Sequence, residues 1–430
     1  MSNLIKGDKK LINAWAFYDF ANSSYPLVIT SAIFPIFYVN VTATKDALGN
    51  FVSDTVCLFG CDFKNTELYD YVVALSFIIV SLSSPVLSGI ADYTGSKKRF
   101  MQFFCYLGSF SCASLYFFSK EQLLFGLLSV LFASVGYWGS TVFYNAYLPE
   151  IAEPEDHDKV SAKGFSMGYF GGAILLILNL VLIKVFNMPA KYSFISVALW
   201  WVGFAQIAFF RLPKGDKLHL SEGSIIFKGF RELIKVWNEL KHIKRLKRYL
   251  FAFFTYSMGV QTVMLVAVMF AKKEIEGMED SNLIISVLLI QFVGMGGSFL
   301  FSRLSKKIGN IKALGVSLFI WIAICFGTYA FVFTPESFYI AASLVGLVMG
   351  GVQSLSRSTY SKLLPETEDH ASYFSFYDVC EKIGIVIGMF SFGLIEGFTG
   401  GMRNSILALM FFFVTGFLIL LTIPKSKNVS

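Results

Sequence analysis

Leu148-Pro149-Glu150, followed shortly by Glu155-Asp156-His157, recurs later in the chain as Leu364-Pro365-Glu366 followed by Glu368-Asp369-His370. The two copies are 216 residues apart at the first match and 213 at the second, so a three-residue gap separates them. An apolar stretch resumes soon after each His, with Gly172 and Gly384 at similar places in it. A third pair lies in register upstream, Asp92-Tyr93-Thr94-Gly95 against Lys306-Lys307-Ile308-Gly309. Short motifs recur by chance. Three in order, in equivalent polar loops between apolar stretches, mark an internal duplication.

Those stretches are long. Of 430 residues, 55% are hydrophobic and 15% charged, against about 25% charged in soluble domains. Mean hydropathy is +0.62. A chain this apolar takes the bilayer as its solvent. A membrane helix needs about 20 mainly apolar residues. That rule places spans near 12–40, 68–91, 100–119, 121–147, 161–184, 190–211, 249–271, 281–304, 311–333, 336–360, 373–397 and 402–423. The expectation is an all-α integral membrane protein of about twelve transmembrane helices in two pseudo-symmetric six-helix bundles. The bundles occupy residues 1–211 and 249–430, and 212–248 is a cytoplasmic linker. The first span is longer than needed and is expected to tilt or kink at Pro26 or Pro35. No small-residue cleavage site follows Lys6, Lys9 and Lys10, so this stretch reads as a retained helix.

Basic residues set the orientation. Lys6, Lys9, Lys10, Lys97, Lys98, Arg99, Arg303, Lys306, Lys307, Lys312, Lys425, Lys427 and the segment between Arg211 and Arg248 fall on one side. Lys45, Lys64, Lys120, Lys184, Lys191, Lys272, Lys273 and Arg403 are the sparser opposite set. Both termini are therefore expected in the cytoplasm, with the chain in a bacterial inner membrane. The net charge of +7 lies between apolar spans rather than on a soluble face, so nucleic acid is not an expected partner. In the linker, Ile226, Phe230, Leu233, Trp237 and Leu240 recur at helical steps among Lys228, Arg231, Lys235, Lys241, Lys244 and Arg245. This pattern predicts a basic amphipathic helix on the cytoplasmic membrane surface, in contact with lipid.

The loops carry little metal chemistry. Adjacent residues such as Glu155, Asp156 and His157 cannot all face one ion, and no metal or cofactor is expected. Helix capping by these acidic residues is the better reading. Cys57 and Cys61 share a polar loop, where a local disulfide is an open alternative.

Ionisable residues inside spans point to function. Asp19, Asn22 and Ser23 are spaced to share a helix face. Gln353 and Arg357 end the tenth span, and Tyr377, Asp378, Glu381 and Lys382 open the eleventh. Asp378 and Lys382 are positioned to pair, and either Asp378 or Glu381 is placed to reach Arg357. Arg357 is read either as a clamp for a substrate carboxylate or as part of a salt-bridged gate. Gln261, Gln291, Asn145 and Tyr144 are weaker candidates, since lone amides often only join helices. At the end of the second span, Asp92 with Lys97 and Lys98 is expected to form a cytoplasmic gate of ion pairs. The chain has no H-E-x-x-H, G-x-S-x-G or Walker-type loop, so neither an enzyme nor an ATP-driven pump is expected.

Two six-helix halves with a cytoplasmic linker form the layout of the major facilitator superfamily. The segment Ser88-Gly89-Ile90-Ala91-Asp92 through Arg99 resembles that superfamily's signature loop, with Ser88 where the usual Gly stands. Three further segments are Tyr18-Asp19-Phe20-Ala21-Asn22-Ser23, Tyr144-Asn145-Ala146-Tyr147-Leu148-Pro149-Glu150 and Gln353-Ser354-Leu355-Ser356-Arg357-Ser358. They resemble the autophagy-related vacuolar amino-acid effluxers and their bacterial relatives, over nearly the whole chain. Glu381 departs from the small residue usual in those relatives. The resemblance implies a secondary active transporter of a small polar, amino acid-like solute, coupled to protons or sodium and monomeric. A lipid translocator and a non-transporting membrane receptor are the alternatives.

Overall fold

The computed structural model describes residues 6–45, 51–213, 215 and 225–424, without the side chains of Lys45, Phe51, Ile225, Ile226 and Lys228. Lys425 and Lys427 lie outside the described residues, as do the side chains of Ile226 and Lys228.

The first span runs unbroken from Lys9 to Thr42 but in three pieces: α1 (Lys9–Asn22), a π-helical stretch (Tyr25–Ile33) and α2 (Phe34–Thr42). Pro26 has no N–H to donate, and the helix widens to the π form there. Ser31 Oγ donates to the Pro26 carbonyl at 2.9 Å. Two short hairpins follow, β1–β2 (Thr44–Lys45, Phe51–Ser53) and β3–β4 (Thr55–Leu58, Cys61–Lys64). In the second, Cys57 sits opposite Asp62 and Cys61 opposite Leu58. Both thiols are free, so the disulfide alternative is not realised.

The rest is helical. The first group continues with α3 (Asn65–Thr94), α4 (Lys97–Ser114), α5 (Leu123–Asn145), the single turn α6 (Leu148–Ile151), α7 (His157–Lys184) and α8 (Tyr192–Arg211). The linker helix α9 covers Ile225–His242. Then come α10 (Lys244–Glu274), α11 (Asp280–Ile308), α12 (Asn310–Phe331), α13 (Pro335–Leu363), α14 (His370–Thr399) and α15 (Met402–Leu421). Among the described residues, ten spans are long and apolar enough to cross a membrane. The helices α4 and α14 complete the expected twelve. They bear the charges Lys97, Lys98 and Arg99, and Asp378, Glu381 and Lys382.

The two six-helix groups meet mainly where α7 packs on α11 and α13 and where α3 and α5 pack on α14, with the single turn α6 also touching α13. Glycines on α7 permit close packing within the first group. A Cβ at Gly168 would lie 2.5 Å from Ser23 Oγ, and one at Gly171 would lie 2.2 Å from the Phe20 carbonyl oxygen. This brings α7 against α1, where the buried polar residues are.

The linker helix packs its Gly229, Val236 and Leu240 side inward and crosses α3 at a glycine pair. A Cβ on Gly89 would lie 2.3 Å from the Gly229 carbonyl oxygen. Of the apolar residues expected to anchor it, Leu240 is buried, while Phe230 and Trp237 are about half exposed, the Trp237 ring lying 5.5 Å from that of Phe376 on α14.

Candidate functional site

The floor of the site is a guanidinium buried between the two bundles. Arg357 of α13 is only 2% exposed. Its Nε donates to Ser161 Oγ at 3.0 Å and its Nη2 to the Ser161 carbonyl at 2.9 Å. Its Nη1 donates to Asp19 Oδ2 at 3.3 Å and to Asn145 Oδ1 at 3.1 Å. Every one of these partners belongs to the first bundle. Tyr144 donates its hydroxyl to the same Asp19 oxygen at 2.7 Å. The guanidinium carbon lies 4.2 Å from the Phe165 ring centre and 4.8 Å from that of Trp15. Arg suits this position because its flat fork bonds in its plane and stacks on rings above and below. Gly164 leaves the room: a Cβ there would meet Asp19 Oδ2, Arg357 Nη2 and the Tyr144 hydroxyl within 2.7–2.9 Å.

Above this floor opens a cavity of about 160 Å³ between the bundles, reaching Ser31, Val73 and Leu265 at its other end. One wall carries a second charged cluster. Lys382 of α14 is fully buried and donates to Asp378 Oδ1 and Glu381 Oε2, both at 2.8 Å. Gln261 of α10 donates to Glu381 Oε1 at 2.7 Å. The Lys382 ammonium sits 3.7 Å from the ring centre of Trp138 in the facing bundle. Tyr377 stacks on Phe253 at 4.0 Å. Gln353 accepts from the Tyr169 hydroxyl at 2.6 Å.

Below the floor, toward the end rich in basic residues, polar ties cross between the bundles. Asp92 accepts the backbone N–H of Ala371 at 3.2 Å and of Ser372 at 2.7 Å, so it caps α14 from the other bundle. Asp158 accepts from Lys362 Nζ, Ser305 Oγ and Asn310 Nδ2, each at 2.7 Å. Glu150 pairs with Lys97 and lies 3.1 Å from His370 Nδ1. The linker joins in: Lys235 donates to Asp369 at 2.8 Å, and Tyr373 donates to Glu239 at 2.9 Å. The hydrogen bond to Asp369, with that to Glu232, holds the Lys235 ammonium above its ordinary range.

Several expectations change here. Arg357 pairs with Asp19, not with Asp378 or Glu381. Those two carboxylates share Lys382 as their cation. Lys97 takes Glu150, and Lys98 Nζ donates to the Leu212 carbonyl at 2.8 Å. Asp92 gives its hydrogen bonds to the free N–H groups at the start of α14, which suit a carboxylate well, and Lys97 remains a favourable charge neighbour to it. Asp156 and Asp369 stand at N-cap positions without side-chain caps; Asp92 does that work for α14. Asp19 and Ser23 line the cavity, as do Gln353, Arg357, Tyr377 and Glu381. Asn22 is buried outside the lining, and its Oδ1 has no partner among the described residues. Asp378 and Lys382 sit behind the wall. Tyr144 and Asn145 join the Arg357 floor, and Gln261 the Glu381 cluster, while Gln291 is not part of the lining. Ser161, Trp138, Asp158 and Lys362 were not among the candidates. The glycine run on α7 was the signal nearest to Ser161.

The family model for vacuole effluxer Atg22-like proteins matches residues 7–429. The chain belongs to this family. The Atg22-like relatives include the uncharacterised MFS-type transporter YxiO of Bacillus subtilis, 29% identical over 99% of this chain and 97% of that protein. Autophagy-related protein 22 of Kluyveromyces lactis is 25% identical over 94% and 92%. Among solved structures, the human organic anion transporter MFSD10 superposes with a TM-score of 0.73 at 12% identity, covering 97% of this chain and all of that one. The transporter FucP in its outward conformation gives 0.68 at 16% identity over 97% and 98%. The fold is thus that of the major facilitator superfamily, and this Atg22-like protein is a multi-pass membrane transporter of that type.

Proposed function

We propose that the chain is a secondary active transporter that moves a small polar, amino acid-like solute by alternating access. The observation that carries this reading is the Arg357–Asp19 pair, which joins the two bundles at the floor of the cavity. With residues 1–211 and 249–430 as the moving halves and 212–248 as their tether, the polar ties at the basic end form a closed gate. The cavity then opens on the opposite side. Positive-inside orientation makes the closed end cytoplasmic and the conformer outward-facing. Rocking of the halves would exchange these ties for contacts at the other end.

Coupling follows from the floor. Protonating Asp19 removes one charge of the pair that bridges the halves and weakens the hold on Arg357. Asp378 and Glu381 are the other carboxylates able to carry a proton, and a sodium ion could meet the same groups. The charged groups in the lining, Asp19, Arg357 and Glu381, favour a polar solute over lipid. In this reading the chain acts as a monomer in a bacterial plasma membrane. Uptake of radiolabelled amino acids into proteoliposomes, with and without a pH gradient, tests this reading. Gradient-stimulated uptake that is lost in Arg357→Ala supports it. A substrate transported normally by Arg357→Ala removes the floor from the mechanism.

A further inference from the structure

The charges around the cavity do not balance. Its charged lining residues are Asp19, Glu381 and Arg357. The one cation among them is already occupied: Arg357 spends its hydrogen bonds on Asp19, Asn145 and Ser161 and has rings close by. Lys382 is fully buried and gives itself to both Asp378 and Glu381. Three carboxylates therefore face two cations, and one negative charge is unmatched. Leaving an unmatched charge in an apolar surround is costly, and either a proton or a bound cation relieves it.

The unmatched charge is accessible at one point. The Glu381 side chain lines the cavity and keeps 17% of its exposure. It accepts one hydrogen bond on each oxygen, from Gln261 and Lys382. A carboxylate has about four lone-pair sites, so capacity remains on each. The surrounding wall is aromatic, with Tyr137, Trp138, Phe253, Tyr256 and Tyr377. Ring faces attract a cation and accept an apolar body.

We infer that the cavity selects a small organic ammonium, with Glu381 accepting its N–H groups and the aromatic wall holding its apolar body. Arg357 serves as a tie between the halves, not as a clamp for a solute carboxylate. This deepens the transporter reading by assigning the charge class of the solute, but its binding does not require that transport occur.

The test is titration calorimetry on the purified full-length protein with probes that share a body and differ in charge. One series is tyramine, tyrosine and 3-(4-hydroxyphenyl)propionate; the other is 3-methylbutylamine, leucine and 4-methylpentanoate. The amine is expected to bind about tenfold tighter than the amino acid, which is the size of one modest charge interaction, and the acid weakest. Glu381→Gln is expected to erase most of the amine preference, and Gln261→Glu, which adds a carboxylate beside it, to enlarge it. The probe series on the unaltered protein stands even if a variant fails to fold. Equal or inverted charge order, or no binding of any probe, overturns the inference. Counterflow of the same probes in proteoliposomes separates the two readings. Ordered binding without movement sinks the transporter reading alone, while movement without charge order sinks the ammonium preference alone.

Discussion

Asp158 at the start of α7 and Lys362 at the end of α13 lie 2.7 Å apart and tie the two bundles together at the basic end. The carboxylate also collects Ser305 and Asn310, so its charge is met by one cation and two neutral donors. Lys362→Met leaves Asp158 without its cation while keeping much of the side-chain volume. The closed state should lose stability relative to the opposite conformer by about 1–3 kcal/mol. Spin labels at the exposed Lys159 and Lys312 positions, with Cys57 and Cys61 replaced, should show a new longer distance. The exchange Asp158→Lys with Lys362→Asp should restore part of the short one. Unchanged distance distributions in all variants would remove this pair from the gate.

The floor makes a separate demand on side-chain shape. Arg357→Lys keeps the charge but cannot reach Ser161, Asp19 and Asn145 together, nor stack between rings as a plane. It should therefore lose transport nearly as completely as Arg357→Ala. Arg357→Ala leaves Asp19 buried without its cation, a change that costs about 3–5 kcal/mol in comparable buried pairs. The double variant Asp19→Asn with Arg357→Gln should unfold at a higher temperature than Arg357→Ala, because it strands no charge. Thermal unfolding in detergent and proteoliposome uptake read the two effects separately. Full uptake by Arg357→Lys would show that charge alone suffices.

Much of this architecture was legible because it repeats locally. The Leu-Pro-Glu and Glu-Asp-His copies fall in equivalent loops, and Asp19 is a carboxylate inside an apolar span. The pairings were not legible. Asp19 and Arg357 are 338 residues apart and Asp92 and Ser372 are 280 apart, so their partners depend on how two bundles dock. Local rules misassigned them: they offered Asp156 and Asp369 as caps and Asp378 or Glu381 as partners of Arg357. The halves also use equivalent places differently. In the third repeat pair, Asp92 accepts backbone N–H groups where the other copy has Lys306, and near that copy the carboxylate comes from the facing helix instead, Asp158 of α7 accepting from Ser305 and Asn310.

Gly164 tests how tightly the floor is fitted. A methyl group there would press on Asp19, Arg357 and Tyr144 at once, none of which can retreat without breaking a hydrogen bond. Gly164→Ala should cost about 1–3 kcal/mol, as other overpacked sites do, and should reduce transport by displacing the Asp19–Arg357 pair. Gly203, with open space around its Cβ position, is the control: Gly203→Ala should leave both unchanged. A Gly164→Ala protein with native melting temperature and uptake would show that the floor has slack.

The linker helix offers a last prediction, because its docking joins both bundles at the closed end. It meets α3 at Gly89 and Gly229 and reaches α14 through Lys235–Asp369 and Glu239–Tyr373. The exposed salt bridge is worth little by itself, about 0–1 kcal/mol. The backbone contact at the glycines is different, since a side chain on Gly89 would strike the carbonyl of Gly229 rather than a movable side-chain tip. Gly89→Val should therefore lift α9 from α3, whereas Lys235→Ala should barely affect it. Hydrogen–deuterium exchange across Ile225–His242 should rise strongly in the first variant and little in the second. Because α9 also touches the start of α14, Gly89→Val should further raise exchange at Ala371 and Ser372, the two N–H groups capped by Asp92. If exchange at α9 rises while those two amides stay protected, the linker is a tether only and takes no part in holding the gate closed.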